Sequence, residues 1–431
     1  MYLLSTANGF AQQVTKPNYY QHIQPIINQH CVSCHRPNGD APFSLTSYAE
    51  VVQRATMIVQ VTNSRYMPPF PANTDYRSYA NQNCLTHEEI ELLKSWIANN
   101  TPEGKRLPVK KSGKKNKYSK RKNSRAEVQN SQTVSLPLPS ALTIPSNNTD
   151  RFERILLQNS SNSDVWVSGF QFNKTNNKAV HHTELMICRP NECPPFLDDY
   201  RNKIGDATTY ESKIATGNFS YLSGWLPGQN AEFGEFFPKG FAKFIPAGSG
   251  FMYLIHYAPS PIEQRDSGSI VFYSDKNLNP RPVESIDLHG TQLFTKGQFN
   301  IPPNQTVTLH STKVIAQDFS IFSIMPHAHH LAKQMLAYCI TPNNDTIPLL
   351  KINHWRFAWQ LQYKLPKLLR LEKGSIIHFF VTYDNTDQNP ENPNTPPKKV
   401  GYSFNANDEM MELFLLGSPY QDGDETLILN W

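Results

Sequence analysis

Three of the fourteen histidines in this sequence fall within four residues, in the run Ile324-Met325-Pro326-His327-Ala328-His329-His330-Leu331. Apolar residues precede the run, which predicts a β-strand. Residues two apart on a strand point to the same face. His327 and His329 can therefore bind one metal ion, while His330 points away from it.

Three other histidines and a methionine extend this pattern. His181 and His182 are adjacent, His256 lies in an apolar run, and Met410 lies in an acidic one. Imidazoles alone suit zinc, copper or iron, but a thioether beside two imidazoles favours Cu(I). Adjacent residues on a regular strand point to opposite faces, so we predict a strand end or a bulge at His181 and His182.

A second metal chemistry is indicated near the N-terminus, where Cys31 and Cys34 precede His35 in a Cys-x-x-Cys-His motif. This spacing is typical of covalently attached haem c, with the histidine as an iron ligand. A zinc half-site would need a second Cys/His pair of suitable spacing nearby, and the sequence has none. Met67 is the predicted sixth haem ligand. Met57 is its rival, but its apolar neighbours predict a buried helix and a place in the core.

The charge distribution excludes one class of function. The 431-residue chain has a formal charge of +5, but residues 105–125 carry eleven Lys or Arg and no acid. The remainder has 30 basic and 36 acidic residues, which argues against nucleic-acid binding.

The sequence contains no run of eighteen apolar residues, so it predicts no membrane span. Cys188 and Cys193 either form a loop disulfide or remain free thiols.

Composition predicts five segments. Residues 1–17 are interpreted as a signal remnant or a disordered terminus, with a small-residue cleavage site near Ala11. Residues 18–103 form a small all-α cytochrome c domain, and residues 104–135 a basic flexible linker. Short alternating strands separated by turns then predict two β-sandwich domains, residues 136–290 and 291–431.

Residues 140–431 resemble the copper type II ascorbate-dependent monooxygenases, the family that includes peptidylglycine α-hydroxylating and dopamine β-monooxygenases. The resemblance covers both jelly-roll domains of that family, and the first hundred residues resemble cytochrome c units fused ahead of such domains in bacteria. The matching motifs occur in the family's order: Val180-His181-His182, Ile255-His256-Tyr257, His327-Ala328-His329-His330-Leu331 and Asp408-Glu409-Met410.

The resemblance implies two copper sites with different roles. His181, His182 and His256 would hold a copper that transfers electrons. His327, His329 and Met410 would hold the copper at which oxygen reacts and a C–H bond is broken.

Three positions depart from the peptide-amidating members of the family. Met325 replaces the arginine that grips a substrate carboxylate, and Glu412 and Phe414 replace an asparagine and a tyrosine. The chain therefore lacks the anchors for a peptide carboxylate. A small or apolar substrate fits Met325 and Phe414 better.

The sequence thus predicts a periplasmic or secreted bacterial oxidoreductase with two copper ions and one haem c. It would hydroxylate an sp3 C–H bond of a small molecule with O2, incorporating one oxygen atom. Electrons would come from ascorbate or a redox protein and pass through the tethered haem. The alternative is a non-catalytic electron-transfer protein that binds haem and copper. A blue-copper oxidase would need His and Met shortly after a Cys ligand, and Cys339 lacks them.

Overall fold

The computed structural model describes residues 16–37, 39, 41–106, 132–138, 141–147, 151–158, 163–173, 175–176, 179–190, 219–225, 234–274, 279–403 and 405–431. Three predicted features therefore lie outside the described residues in whole or in part: the signal remnant up to residue 15, the linker from 107 to 131, and Cys193. Cys188 is disulfide-bonded.

The chain forms two compact units. The first combines Met1–Pro69 with Asn83–Lys114, and the second combines Phe70–Gln82 with Lys115–Trp431. Residues 70–82, which the sequence places inside the first domain, thus pack with the second unit. The boundary at residue 103 stays a prediction.

The described part of the first unit is helical. It has a π-helical turn at Tyr19–Ile23, followed by α1 (Gln24–His30), α2 (Tyr48–Gln53), α3 (Ala55–Asn63) and α4 (His87–Ala98). Apolar side chains of these helices share one core, in which Ile23, Ile27 and Trp96 are almost fully buried. A capping box begins α4, because the side chains of Thr86 and Glu89 each accept the other residue's backbone N–H.

Strands dominate the second unit. They are β1 (Gln132–Pro137), β2 (Leu142–Ile144), β3 (Arg151–Gln158), β4 (Val165–Asn173), β5 (Val180–Cys188), β6 (Ser220–Trp225), β7 (Glu235–Phe236), β8 (Phe241–Ile245), β9 (Gly250–Tyr257), β10 (Gln264–Asp266), β11 (Ser269–Ser274), β12 (Arg281–Pro282), β13 (Glu284–His289), β14 (Gln305–Val314), β15 (Phe319–His327), β16 (Ala332–Ile340), β17 (Thr346–Ile352), β18 (Tyr363–Leu371), β19 (Ile376–Asn385) and β20 (Glu412–Pro419). The described residues add a short helix, α5 (Thr291–Thr295), and a 3-10 turn (Asp424–Thr426). The predicted fold class is confirmed in part: the described chain is mostly β-strand with few helices, and the all-α cytochrome c domain stays a prediction.

The first pair of sheets has the strand orders β3-β9-β5-β6 and β1-β11-β4-β8-β12, with β7 on β4. Buried residues of both sheets belong to one hydrophobic cluster. Phe251 on β9 and Phe272 on β11 make an edge-to-face ring contact across it, with centroids 5.1 Å apart. The two sheets therefore face each other over a shared core.

The second pair of sheets has the orders β13-β20-β15-β18 and β14-β19-β16-β17. Strand β19 alternates buried and more exposed residues, as expected for a strand with one face on a core. Strand β15 is instead buried from Phe319 to Pro326. Its Phe322 lies against Phe241 of the first pair, with ring centroids 5.5 Å apart. β15 therefore lies between the two pairs, which explains why its sequence is mostly apolar on both faces, with Ser320 and Ser323 as small buried polar exceptions.

Residues 70–82 bind along two edge strands of the second pair. Ala72 forms a β-bridge with Ile352 on β17, and the backbone N–H of Ala80 donates to the carbonyl of Lys364 on β18 at 2.7 Å. The ring of Tyr79 packs against Tyr363 with centroids 5.1 Å apart. The segment covers edges that would otherwise present unpaired backbone groups.

In the described part of the chain, no helix combines the length and the apolar character that crossing a membrane requires.

Candidate metal centres

The first histidine set consists of His181, His182 and His256. Strand β5 pairs with β9 in a register that sets His182 opposite His256 and shifts between Val180 and His182. The shift confirms the predicted irregularity, and it lets two adjacent side chains turn toward the same point. The Nδ1 atom of His182 lies 3.2 Å from Nδ1 of His181 and 3.2 Å from Nδ1 of His256.

The spacing of this set fits a bound metal ion. Imidazole nitrogens about 2.0–2.1 Å from a metal are about 3.3–3.6 Å apart in tetrahedral or trigonal coordination. The three ligand nitrogens all lie within 4.8 Å of one another. Burial, together with the neighbouring histidines, lowers the pKa of His182 well below its ordinary value, so its imidazole is neutral, as metal binding requires.

Neighbouring side chains fix the orientation of this set. Phe152, the cross-strand partner of His256, stacks on it with ring centroids 4.2 Å apart and planes 11° from parallel. The Nε2 atom of His182 lies 3.8 Å from a carboxylate oxygen of Glu184. This distance is beyond that of a hydrogen bond, so the carboxylate lies near the imidazole without being bonded to it.

The second histidine set consists of His327 and His329. His327 ends β15, and His329 lies in the turn that follows, with the two rings 5.2 Å apart and nearly perpendicular. Nδ1–H of His327 donates to Oε1 of Gln360, and Nδ1–H of His329 donates to the carbonyl of Asp408 at 3.0 Å. These acceptors fix both tautomers, so both Nε2 atoms are left as acceptors that can bind a metal ion.

Met410 lies in the segment that holds this turn. The carboxylate of Glu409 accepts the backbone N–H of His329 at 2.8 Å, that of Leu331, and that of Met410 at 3.3 Å. The hydroxyl of Tyr383 donates to the carbonyl of Met410 at 2.7 Å, and the Met410 side chain is buried. These hydrogen bonds place the backbone of Met410 beside that of His329, because both N–H groups donate to the same carboxylate oxygen of Glu409.

Sequence reasoning missed Gln360 and the role of Glu409. Gln360 lies in the loop between β17 and β18, and no periodicity links a loop amide to a histidine 33 residues earlier. Glu409 is part of the quoted Asp408-Glu409-Met410 motif, where only the methionine was given a role.

The histidine of the Cys-x-x-Cys-His motif in the first unit is oriented in the same way. Nδ1–H of His35 donates to the carbonyl of Phe43 at 3.1 Å, which leaves Nε2 available. Cys31 and Cys34 lie in the turn after α1 and are not disulfide-bonded. Met67 is partly exposed. Met57 is 50% exposed, so its expected place in the core is wrong, because the buried face of α3 consists of Ala55, Ile58 and Thr62.

Comparisons with known proteins bear on the second histidine set. Residues 289–416 match the C-terminal domain of the copper type II ascorbate-dependent monooxygenases. The matched stretch includes His327, His329 and Met410 but not the first histidine set. Among curated proteins no significant match was found.

Similarity to solved structures is weak. The PNGF-II structure has a TM-score of 0.30 and 9% identity to this chain. The similarity covers 67% of this chain and 66%, just under two thirds, of the PNGF-II chain. An allantoicase structure has a TM-score of 0.17 and 8% identity over 57% of this chain and 83% of its own. The VP2 subviral particle of infectious bursal disease virus has a TM-score of 0.18 and 9% identity, covering 69% and 75% of the two chains. Scores this low do not establish a shared fold.

Within the matched stretch, Met325 and Phe414 are cross-strand partners, as are His327 and Glu412. Cross-strand partners share a face, and residues two apart on a strand do too, so all four share one. Tyr221 from the first sheet pair stacks on Phe414, with ring centroids 5.4 Å apart. An aromatic and thioether wall therefore lies beside the second histidine set.

Glu412, on the same face, is held from two sides. The Tyr402 hydroxyl donates to one of its carboxylate oxygens at 2.8 Å, and Nδ1–H of His289 donates to the other. The carboxylate is almost fully buried. Both carboxylate oxygens of Glu412 therefore accept hydrogen bonds within the protein, so this side chain is not an anchor for a substrate.

Proposed function

We propose that this protein is a copper-dependent monooxygenase that hydroxylates an sp3 C–H bond of a small apolar molecule with O2. The observation that carries the proposal is the presence of two separate histidine sets, each with its metal-binding nitrogens oriented, in a unit whose residues 289–416 match a monooxygenase domain. The two sheet pairs would be the two jelly-roll domains of that family.

The two sets present different donors, which supports different roles. His181, His182 and His256 offer three imidazole nitrogens and suit a copper that accepts and passes on electrons. His327 and His329 with the soft sulfur of Met410 favour Cu(I), the state that meets oxygen. When bound, the copper ions would supply the electron transfer and the activation of O2; two electrons and two protons are consumed for each oxygen atom inserted, and the other oxygen leaves as water.

The protein's own residues orient these ligands and shape the space beside them. Gln360 and the carbonyl of Asp408 hold the second histidine set with Nε2 available. Met325, Phe414 and Tyr221 provide an apolar wall for a substrate. Burial raises the pKa of Tyr221 well above its ordinary value, so its phenol stays neutral. None of these three side chains carries a cation, so the wall favours an apolar substrate over a carboxylate.

The first unit would be a cytochrome c domain that supplies the electrons. Cys31 and Cys34 would form the thioether bonds, and His35 and Met67 would ligate the iron. The hydrogen bond from His35 to Phe43 supports this assignment, since it leaves Nε2 for the iron. Residues 104–135 would tether the donor at high effective concentration, with ascorbate or a redox protein as the external reductant.

The disulfide at Cys188 supports a periplasmic or secreted location, because disulfides persist in oxidising compartments.

The test begins with the full-length protein loaded with copper and haem. We expect two copper ions and one haem per chain, and a copper paramagnetic-resonance signal in the oxidised protein. With ascorbate, ¹⁸O₂ and small alkylbenzenes such as toluene and ethylbenzene, one labelled oxygen atom should enter the product alcohol. His329→Ala should abolish the product.

The outcomes separate the proposal from its alternative. A non-catalytic electron-transfer protein would bind both metals and exchange electrons between haem and copper, but it would form no alcohol from any substrate. Fewer than two copper ions per chain would contradict both interpretations of the second unit.

A further inference from the structure

One aromatic side chain contacts both histidine sets. Phe357 lies in the loop between β17 and β18 and is partly exposed. Its ring is stacked relative to His181 of the first set, with centroids 6.3 Å apart and planes at 27°. It meets His329 of the second set edge-on at 5.7 Å and 86°. The ring therefore lies between the two candidate centres.

The loop that carries Phe357 is fixed to the second set at several points. Nε2–H of Gln360 donates to the carbonyl of Phe357 at 3.0 Å, while Oε1 of the same amide accepts from His327. The indole N–H of Trp355 donates to the carbonyl of His329 at 3.1 Å. The Phe357 ring also packs on His330, with centroids 4.2 Å apart. Its position is thus set by the same contacts that orient the second set.

We infer that Phe357 is a positioning residue that sets the separation and the electronic coupling of the two metal centres. The inference rests on the proposed function. Because its ring is 6.3 Å from His181 and 5.7 Å from His329, the two imidazoles are at most 12 Å apart.

A packed ring between the two sets has two consequences. It excludes water from the space that it occupies, and it provides atoms in contact with a ligand of each centre. Electron tunnelling decays less steeply through packed atoms than through a gap. An electron from the first centre would therefore reach the second through the contact of His181, Phe357 and His329.

Phe357 contributes no metal-binding atom, so its removal should leave both sites able to bind copper. In Phe357→Ala the loop keeps its hydrogen bonds through Gln360 and Trp355, while the space between the centres fills with water. Phe357→Tyr keeps the ring. Phe380→Ala is the matched control, because Phe380 stacks on His310, a histidine outside both sets, at 4.0 Å.

The experiment uses the full-length protein with both copper sites loaded, in the absence of O2 and substrate. Pulsed electron paramagnetic resonance of the fully oxidised protein measures the dipolar coupling between the two Cu(II) ions. Partial reduction by a rapid pulse measures the rate at which one electron equilibrates between the two centres. In Phe357→Ala we expect two copper ions per chain, a broadened distribution of dipolar couplings, and an electron-transfer rate lower by about tenfold or more. Phe357→Tyr and Phe380→Ala should retain wild-type values.

A Phe357→Ala protein with two copper ions and an unchanged coupling and rate would overturn this inference and leave the proposed function intact. A wild-type protein that binds fewer than two copper ions would overturn both.

Discussion

The hydroxyl of Tyr221 lies 3.9 Å from the sulfur of Met325, the residue that stands in place of the arginine of the peptide-amidating enzymes that this sequence resembles. Met325 is buried, with its cross-strand partner Phe414 stacked under the same tyrosine. The position is therefore closed by aromatic packing as well as lacking a cation.

We expect Met325→Arg to lower the free energy of unfolding by at least about 2 kcal/mol, because it buries a charge without a partner. Met325→Leu should cost less than about 1.5 kcal/mol, because it nearly conserves volume. Urea denaturation of the two variants checks this. An arginine variant as stable as the wild type would show that the site is open enough to hydrate a cation.

A second prediction concerns the first histidine set. His182 is the central member, with its Nδ1 atom 3.2 Å from those of both partners. His182→Ala should lower the copper content from two ions per chain to one, measured by elemental analysis after dialysis. His310→Ala, which removes an exposed histidine, should retain two. Loss of both ions in a folded His182→Ala protein would contradict the independence of the two sites.

A third prediction concerns the amide behind His327. Gln360→Leu removes the acceptor of Nδ1–H, so the imidazole is no longer held with Nε2 toward the metal. We expect the affinity of the second site for Cu(I) to fall by about 10–100-fold, with the first site unchanged. Competition with a Cu(I) chelator measures both affinities. Gln360→Glu restores an acceptor and should recover most of the affinity, and Gln334→Leu, at an exposed position of β16, is a control.

Local patterns predicted the parts of these sites that depend on one strand. The His327-x-His329 spacing follows from the two-residue period of a strand, and the irregularity at His181 and His182 follows because adjacent side chains must otherwise diverge. The partnership of His182 with His256 depends on the pairing of β5 with β9, which no local period contains. The family resemblance predicted that partnership, and the register of β5 and β9 sets His182 opposite His256.

Long-range contacts made by loops were the main feature that the sequence did not predict. Phe357 and Gln360 lie in a loop whose mixture of polar and aromatic residues has no distinguishing pattern. Their partners are up to 176 residues away in the chain. Met57 was assigned to the core on the apolar character of its neighbours. The buried face of α3 instead follows the three- and four-residue spacing of Ala55, Ile58 and Thr62, and Met57 lies off that face.

A fourth prediction concerns Glu409, which accepts three backbone N–H groups around the second site. Glu409→Gln replaces one of the two accepting oxygens with an NH₂ group, which cannot accept a hydrogen bond from a backbone N–H. We expect the free energy of unfolding to fall by about 2 kcal/mol and the second-site copper affinity to fall with it. Glu391→Gln, which breaks an exposed pair with Lys333, should cost less than about 1 kcal/mol. Equal losses in the two variants would contradict a special role for Glu409.

The last prediction concerns pH. Burial lowers the pKa of Lys364 from its ordinary 10.5 to about 8, against the opposing attraction of Glu235. The unfolded chain therefore binds more protons than the folded chain between about pH 8 and 10.5, so this group makes stability rise with pH across that window. Below pH 8 the lysine is charged in both states, and the folded protein bears the full cost of burying it. Lys364→Met should therefore gain most over the wild type at pH 7, and its advantage should shrink toward pH 10.

Denaturation midpoints at pH 7, 8.5 and 10 measure this difference, with Lys367→Met, an exposed lysine on the same strand, as the control. The ammonium of Lys364 also lies 4.5 Å from the ring centre of Trp431, an attraction that the variant loses at every pH where the lysine is charged. That loss opposes the gain at pH 7 without reversing the trend, because the pKa of Lys364 is lowered overall. A difference between Lys364→Met and the wild type that does not change from pH 7 to 10 would show that Lys364 has an ordinary pKa.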